Sequence, residues 1–378
     1  MKNLLGVLIF LFGVLCGCSE SENSGDLYII KIDHDNIYKG AEYDITHIFT
    51  DDIEIIPLEV NDNVLLSDDC DYKVYDSEFL ISSGTSNGEL YRFKSDGTFL
   101  NTISKTGRGP GELISVIHWE RIEDSVLFFN NLNSKYLIYG LDGLGYREFP
   151  KTEGLYEQKL WYNDGKLNIQ TWKGESKLIS YDIKSGDVVN VMKHDTTLSN
   201  YAWSDMGNYP SVYNDNLYFG SWGSDTVYVY NGQEVKPAFC FDLVNGAPLD
   251  VMKRGIQEFF QYVQDVNVTW DPSLFALTDN YLFIEYSYGV GAFFAIHSLD
   301  SGETSACYAY ISDGLPIYDF RIKDNNLYFM VGVSELMELI PDILETETVS
   351  FKVKDKLKNL LSSLSEDGNP VIFIKQFK

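Results

Sequence analysis

The sequence predicts an all-β protein, a single six-bladed β-propeller with short helical insertions, and three observations carry that expectation. An acidic turn followed directly by an apolar strand recurs six times along the 378 residues. A second, glycine-bearing turn follows it in five of the six units. Tyr 26, Phe 23 and Trp 6 make a composition that favours strands over helical bundles. Lys+Arg 29 against Asp+Glu 56 leaves a net charge of −27, which repels phosphate and argues against nucleic acid or a bare anionic membrane as partner.

The first element is an address. Lys2 and Asn3 precede an apolar run from Leu4 to Cys16. At a rise of about 1.5 Å per residue that run falls short of a hydrocarbon core of about 30 Å, so it suits a signal peptide and not a membrane span. It ends in Leu15-Cys16-Gly17-Cys18, which resembles the bacterial lipobox, with Cys18 as the lipid-bearing N-terminus of the mature chain. Residues 1–17 are thus read as signal peptide and 18–44 as an acidic, polar tether and lead-in, with the propeller filling 45–378. The stretch Ser19-Glu20-Ser21-Glu22-Asn23-Ser24-Gly25 is either a plain flexible linker or, as it resembles the acidic tether of some Gram-negative lipoproteins, a signal for the outer leaflet.

The blades come next. The acidic turns are Asp76-Ser77, Asp124-Ser125, Asp164-Gly165, Asp215-Asn216, Asp279-Asn280 and Asp324-Asn325, their aspartates 48, 40, 51, 64 and 45 residues apart. A period of roughly 40–50 residues built from short strands is the mark of propeller blades. Asp96-Gly97, Asp142-Gly143, Ser185-Gly186, Asn231-Gly232 and Ser301-Gly302 each follow an aromatic-rich strand and are read as the turn between a blade's third and fourth strands. The long fourth interval holds Leu249, Met252, Ile256, Phe259, Phe260 and Val263 at helical spacing, with Pro248 at the first turn, which predicts one helix between blades four and five. The sixth unit lacks the second turn and carries two helical patterns, Leu336–Leu344 with Pro341 as a possible break, and Leu357–Leu364. Ile53–Ile56 and Val371–Ile374 are the strands available to close the ring, in an order the sequence leaves open.

Thr106-Gly107-Arg108-Gly109-Pro110-Gly111-Glu112-Leu113, the six units, the lipobox and Gly368-Asn369-Pro370-Val371 together resemble the uncharacterised six-bladed β-propeller lipoproteins of Gram-negative gut bacteria, similar in shape to NHL and TolB-like propellers. The resemblance implies fold and a lipid-anchored place in the cell envelope. It carries over no catalytic residue.

Signatures of chemistry are sparse. His34, His47, His118, His194 and His297 are scattered, and Cys70, Cys240 and Cys307 form no Cys-x-x-Cys, so neither a zinc site nor a disulfide framework is expected. Asp68-Asp69-Cys70-Asp71 gathers carboxylates without the glycine and terminal glutamate of a calcium loop. Gly107–Gly111 lacks the Gly-Lys-Ser/Thr ending of a phosphate loop and reads as a rigid turn. No cofactor and no metal are expected. The function expected is a non-catalytic binding module for a glycan, peptide or envelope protein, with membrane contact only through the lipid. The alternative is a glycan-cleaving enzyme, hydrolase or lyase, using carboxylates near the axis.

In the usual winding, loops between strands two and three share a face with the connectors between blades. That scheme gathers Arg108, Asn130, Asn131, Trp172, Trp203, Trp222, Tyr286 and Tyr288 as candidate ligand-binding residues. Aromatic rings there suit sugars or partner side chains, although packing between blades competes as the explanation for each.

Overall fold

Each acidic turn marks a blade. The computed structural model describes residues 27–67, 70–83, 88–116, 119–130, 135–150, 156–163, 165–173, 175–193, 211–220 and 224–378. Six sheets are present, each built on four antiparallel neighbours. Blade one comprises Asp71–Val74, Glu78–Ser82, Leu90–Lys94 and Phe99–Thr102. Blade two comprises Trp119–Ile122, Ser125–Asn130, Lys135–Gly140 and Tyr146–Pro150. Blade three follows with Tyr156–Asn163, Lys166–Lys173, Ser176–Asp182 and Val188–Lys193. Blade four is Ser211–Tyr213, Asn216–Phe219, Thr226–Tyr230 and Val235–Leu243, and blade five is Thr269–Leu277, Tyr281–Tyr288, Gly291–Ser298 and Thr304–Ser312. Among the described residues, the acidic turns lie between strands one and two, and the glycine turns between strands three and four. Asn214, Asp215, Asp324 and Asn325 adopt positive φ, as do Gly97, Gly143, Gly186, Gly232 and Gly302, which is why Asn, Asp and Gly mark these places.

Blade six closes the ring. Its order is Phe320–Lys323, Asn326–Val331, Val371–Gln376 and then Glu54–Pro57, so the C-terminal strand is third and an N-terminal strand is outermost. Asn369, 2% exposed, holds the closure: its Nδ2 donates to the Glu59 carbonyl at 2.7 Å and its Oδ1 accepts from the Leu66 amide at 2.7 Å.

Sheet structure starts before residue 45. Tyr28–Ile32 pairs in parallel outside the fourth strand of blade four, and Tyr38–Asp44 does the same on blade five. The repeat markers report antiparallel hairpins, so parallel additions left no trace in them.

The helices differ from expectation in two details. The predicted helix between blades four and five is split into Leu249–Met252 and Ile256–Val266 by Gly255, whose φ of +113° no helix accommodates. It packs on the end of blade five, with Phe259 and Val263 against Trp270. Conversely, Pro341 does not break the helix Val333–Glu345, which with Phe351–Leu361 packs over the seam of blades five and six.

The core is distributed as seams between blades. Leu80, Val126 and Phe128 fill the seam of blades one and two, and Leu127, Ile138, Leu160 and Ile169 the next. Burying each such side chain contributes about 1.5–3 kcal/mol. Cations tie the innermost strands: Arg321 Nε donates to the Tyr72 carbonyl at 3.1 Å, and Lys73 Nζ donates to the Trp119 carbonyl at 2.8 Å and to Glu120 at 2.5 Å. Cys307 is buried, and Cys70 and Cys240 are half-buried, and among the described residues none of the three is in a disulfide.

Candidate functional site

Strand direction assigns the two ends of the ring. Loops between strands two and three and the connectors between blades share one end. In blade one the Gly88 amide donates to Thr106 Oγ1 at 2.9 Å, which puts that loop against the connector carrying Arg108. Arg108 itself is exposed. The glycine-proline segment around it is a self-filled turn. Glu112 turns its carboxylate back to accept from the Gly109 amide at 2.7 Å, so an internal anion occupies the amide cradle. Gly111, at φ +77°, leaves room for the Tyr146 ring, which an added Cβ would meet at 2.2 Å.

The other expected residues divide. Asn130 and Trp172 lie at the ends of second strands, at the expected end of the ring. Asn131, Trp203 and Trp222 lie outside the described residues, as do Cys18 and the acidic tether, and Asp68 and Asp69 of the acidic cluster. Tyr286 does not reach the surface: it is 1% exposed, and its hydroxyl bonds His34 Nδ1 at 2.8 Å. Tyr288 does reach it, half-buried, with its ring stacked on His34 at 3.9 Å and 13°. Arg108 and Tyr288 therefore share an end of the ring but belong to blades that are not neighbours.

Around Tyr288 the structure assembles residues that the repeat pattern did not single out. His34 sits in the short helix His34–Ile37, which crosses from blade four to blade five between the two added strands. Its ring also lies parallel to Tyr38 at 5.1 Å and edge-on to Phe293 at 4.5 Å. Tyr308 lies 4.4 Å from Phe293, and Tyr38 and Tyr308 are 36% and 49% exposed. The result is an aromatic shelf, with Tyr286 and Phe293 beneath and the edges of Tyr38, Tyr288 and Tyr308 towards solvent. The signal for it was Tyr28-Ile29-Ile30-Lys31-Ile32, a short apolar strand ahead of the first marked blade, buried at Ile30 and Ile32.

The surroundings keep the shelf in place and set its charge. The Gly289 amide donates to the Val268 carbonyl at 3.0 Å, and Trp270 Nε1 donates to the Gly289 carbonyl at 2.8 Å, fixing the loop that ends the Tyr288 strand. Asp35 accepts from the Tyr288 hydroxyl at 3.4 Å and brings a negative charge to the rim. Burial lowers the pKa of His34, against the opposing pull of Asp35, which favours the neutral form of the stacked imidazole.

Three acids on the first and second strands of blades one and two are paired with cations. Glu78 accepts from Arg92 Nε at 2.8 Å, and that guanidinium lowers its pKa. Asp71 accepts from Arg321 at 2.7 Å, and Glu120 from Lys73. These pairs link strands and blades. Among the described residues no group of three metal-ligating side chains is found.

Comparison with known proteins agrees with this architecture. A Bacteroides fragilis protein described as exported superposes with a TM-score of 0.68 at 16% identity, covering 93% of this chain and 99% of its own. A member of the duf4221 family from Bacteroides vulgatus gives a TM-score of 0.48 at 13% identity, over 86% of this chain and 96% of its own. No functionally curated protein matches the sequence. At 16% identity the likeness to the Bacteroides fragilis protein is one of fold. A family match, by contrast, spans residues 27–376, from the first added strand to the closing strand of blade six, and the chain belongs to that family, the domain of unknown function DUF4934.

Proposed function

We propose that this protein is a lipid-anchored binding module of the bacterial cell envelope that holds a glycan, peptide or protein partner without transforming it. The observation that carries the reading is the aromatic shelf of Tyr38, Tyr288 and Tyr308 over His34. Its flat rings with polar edges suit sugar rings or partner side chains. Asp35 at the rim and the net charge of −27 favour neutral or cationic ligands. The pairing of Glu78, Asp71 and Glu120 with Arg92, Arg321 and Lys73 removes those three acids from the candidates for glycan cleavage.

Location rests on Cys18 in its lipobox setting. No helix among the described residues is long and apolar enough to cross a membrane. The Bacteroides fragilis protein of like fold is described as exported. Cys18→Ser is expected to move the protein from the membrane fraction to the soluble envelope fraction; retention in the membrane overturns the anchor. Protease shaving of intact cells distinguishes an outward from an inward leaflet.

The site is tested with the soluble mature domain on a glycan array and by affinity capture from envelope extracts. Tyr288→Ala and Tyr308→Ala are each expected to weaken capture, with Trp222→Ala as a third probe. Capture that survives all three with the fold intact places the site elsewhere. Hydrolysis or elimination of a captured glycan replaces the binding reading with the enzyme.

A further inference from the structure

The aromatic shelf does not end at its tyrosines. Gly289, held by Val268 and Trp270, leads directly into Val290, which is 71% exposed. Asn267 Oδ1 lies 2.7 Å from where a Cβ on Gly289 would stand, so Val266, at the end of the helix Ile256–Val266, borders the same loop. Val266 is 46% exposed, and Phe260 of that helix, 39% exposed, packs edge-on to Trp270 at 5.9 Å. On the other side of the loop, the Tyr308 hydroxyl lies 3.5 Å from the Cβ position of Gly291. One loop therefore joins an aliphatic margin to the aromatic shelf. Single exposed apolar residues are ordinary in proteins, but a contiguous run of them marks a contact surface.

The rings are open to a positive charge. Tyr38 and Tyr308 meet at 85° with centroids 5.9 Å apart, which forms a corner. Elsewhere the chain covers tyrosines with its own cations: Arg121 lies over Tyr75 at 4.8 Å and Arg321 over Tyr72 at 5.0 Å. Among the described residues no lysine or arginine is so placed on Tyr38, Tyr288 or Tyr308, and the exposed Lys39, next to Tyr38 in sequence, stacks on none of them. Lys31 pairs with Asp33, which leaves the exposed Asp35, beside the Tyr288 hydroxyl, without a cation among the described residues.

We propose that the shelf takes a protein partner, through a lysine or arginine flanked by large apolar residues in an exposed segment of that partner. The inference rests on the shelf being the binding site and names what it binds. An ammonium or guanidinium gains from the tyrosine faces and from Asp35 together, and the net charge of −27 draws such a partner in. The side chains that flank the basic residue then cover Val290, Val266 and Phe260. A saccharide is the poorer occupant, because its hydroxyls need polar groups around the ring and those three side chains offer none. An acidic segment meets Asp35 as a like charge.

The test is selection of random decapeptides, displayed on phage, against the mature domain, with fluorescence titration of the selected peptides. Selected sequences are expected to carry a lysine or arginine with large apolar neighbours, and to bind more weakly as salt rises. Asp35→Asn is expected to weaken binding about three-fold, and Val266→Ser with Val290→Ser about ten-fold, at unchanged melting temperature. Selection of no peptide overturns the proposal, as does a consensus that is acidic or uncharged. So does binding that Asp35→Asn and the paired valine variant both leave intact. A glycan that binds the parent and is lost in Tyr288→Ala, with no peptide selected, keeps the shelf and overturns the protein partner. Selected peptides that Tyr288→Ala and Tyr308→Ala bind as tightly as the parent overturn both.

Discussion

The most consequential single contact lies at the closing blade. Lys375, 0% exposed, reaches Asp313, 5% exposed, at 2.6 Å and so ties blade six to the end of blade five. Removing one partner of a buried pair strands the other charge, at a cost of about 3–5 kcal/mol. Lys375→Met is expected to show that loss in denaturant unfolding, and Lys375→Met with Asp313→Asn to recover much of it. An unchanged midpoint for the single variant refutes the role. Histidine gives the pH response. Burial lowers the pKa of both His34 and His297, so the unfolded chain binds protons at higher pH than the folded one. Their contribution is full above about pH 6.5 and is lost as pH falls through the unfolded value towards the folded values. The carboxyls of Glu120, Glu285 and Asp225, raised by burial, act in the opposite sense, so the histidine share is read by difference. His34→Gln with His297→Gln is expected to lose less thermal stability than the parent between pH 7 and pH 5; parallel profiles overturn the assignment.

Turns and staples set the behaviour of the elements. Gly111 and Gly232 both have positive φ, yet an added Cβ at Gly111 meets the Tyr146 ring at 2.2 Å, whereas at Gly232 it meets nothing within 4 Å. Gly232→Ala therefore carries only the backbone cost of about 1–2 kcal/mol, and Gly111→Ala adds an overpacking cost of about 1–3 kcal/mol. Equal melting temperatures for the two variants contradict the close approach. The glycine-proline segment was visible in the sequence as a rigid turn. That Tyr146 covers it depends on a neighbouring blade, which no local pattern encodes. The same holds for the insertion after blade four: its apolar spacing was legible, but the break at Gly255 follows from a φ of +113°.

The whole molecule depends on the ring more than on any blade. Truncation before Val371 removes the third strand of blade six and detaches Glu54–Pro57, leaving open edges on both sides of the gap. That protein is expected to unfold or aggregate, and a soluble, equally stable product contradicts the closure. Truncation to residue 45 is a different case. It strips the added strands from blades four and five and uncovers the contacts of Ile30, Ile32 and Ile37, but the ring stays closed through Glu54–Pro57. This shorter protein is expected to keep a β-dominated circular dichroism spectrum with a lower melting temperature, and to lose the aromatic shelf because His34 and Tyr38 are gone.

Blade number and the order of the four antiparallel strands in blades one to five were determined by the sequence. They rest on local chemistry: Asp, Asn and Gly where φ turns positive, and apolar runs between them. Tertiary structure alone decided how the ring closes, where the residues before 45 go, and which aromatics are surface and which are support. Tyr286 and Tyr288 are two residues apart on one strand, yet Phe293 and His34 cover the first and leave an edge of the second open. Likewise Trp161, Asn168 and Ser180 read as ordinary strand sequence until three strands align them in one row. Burial and partnership are set by neighbours distant in sequence, and a single chain read locally does not contain them.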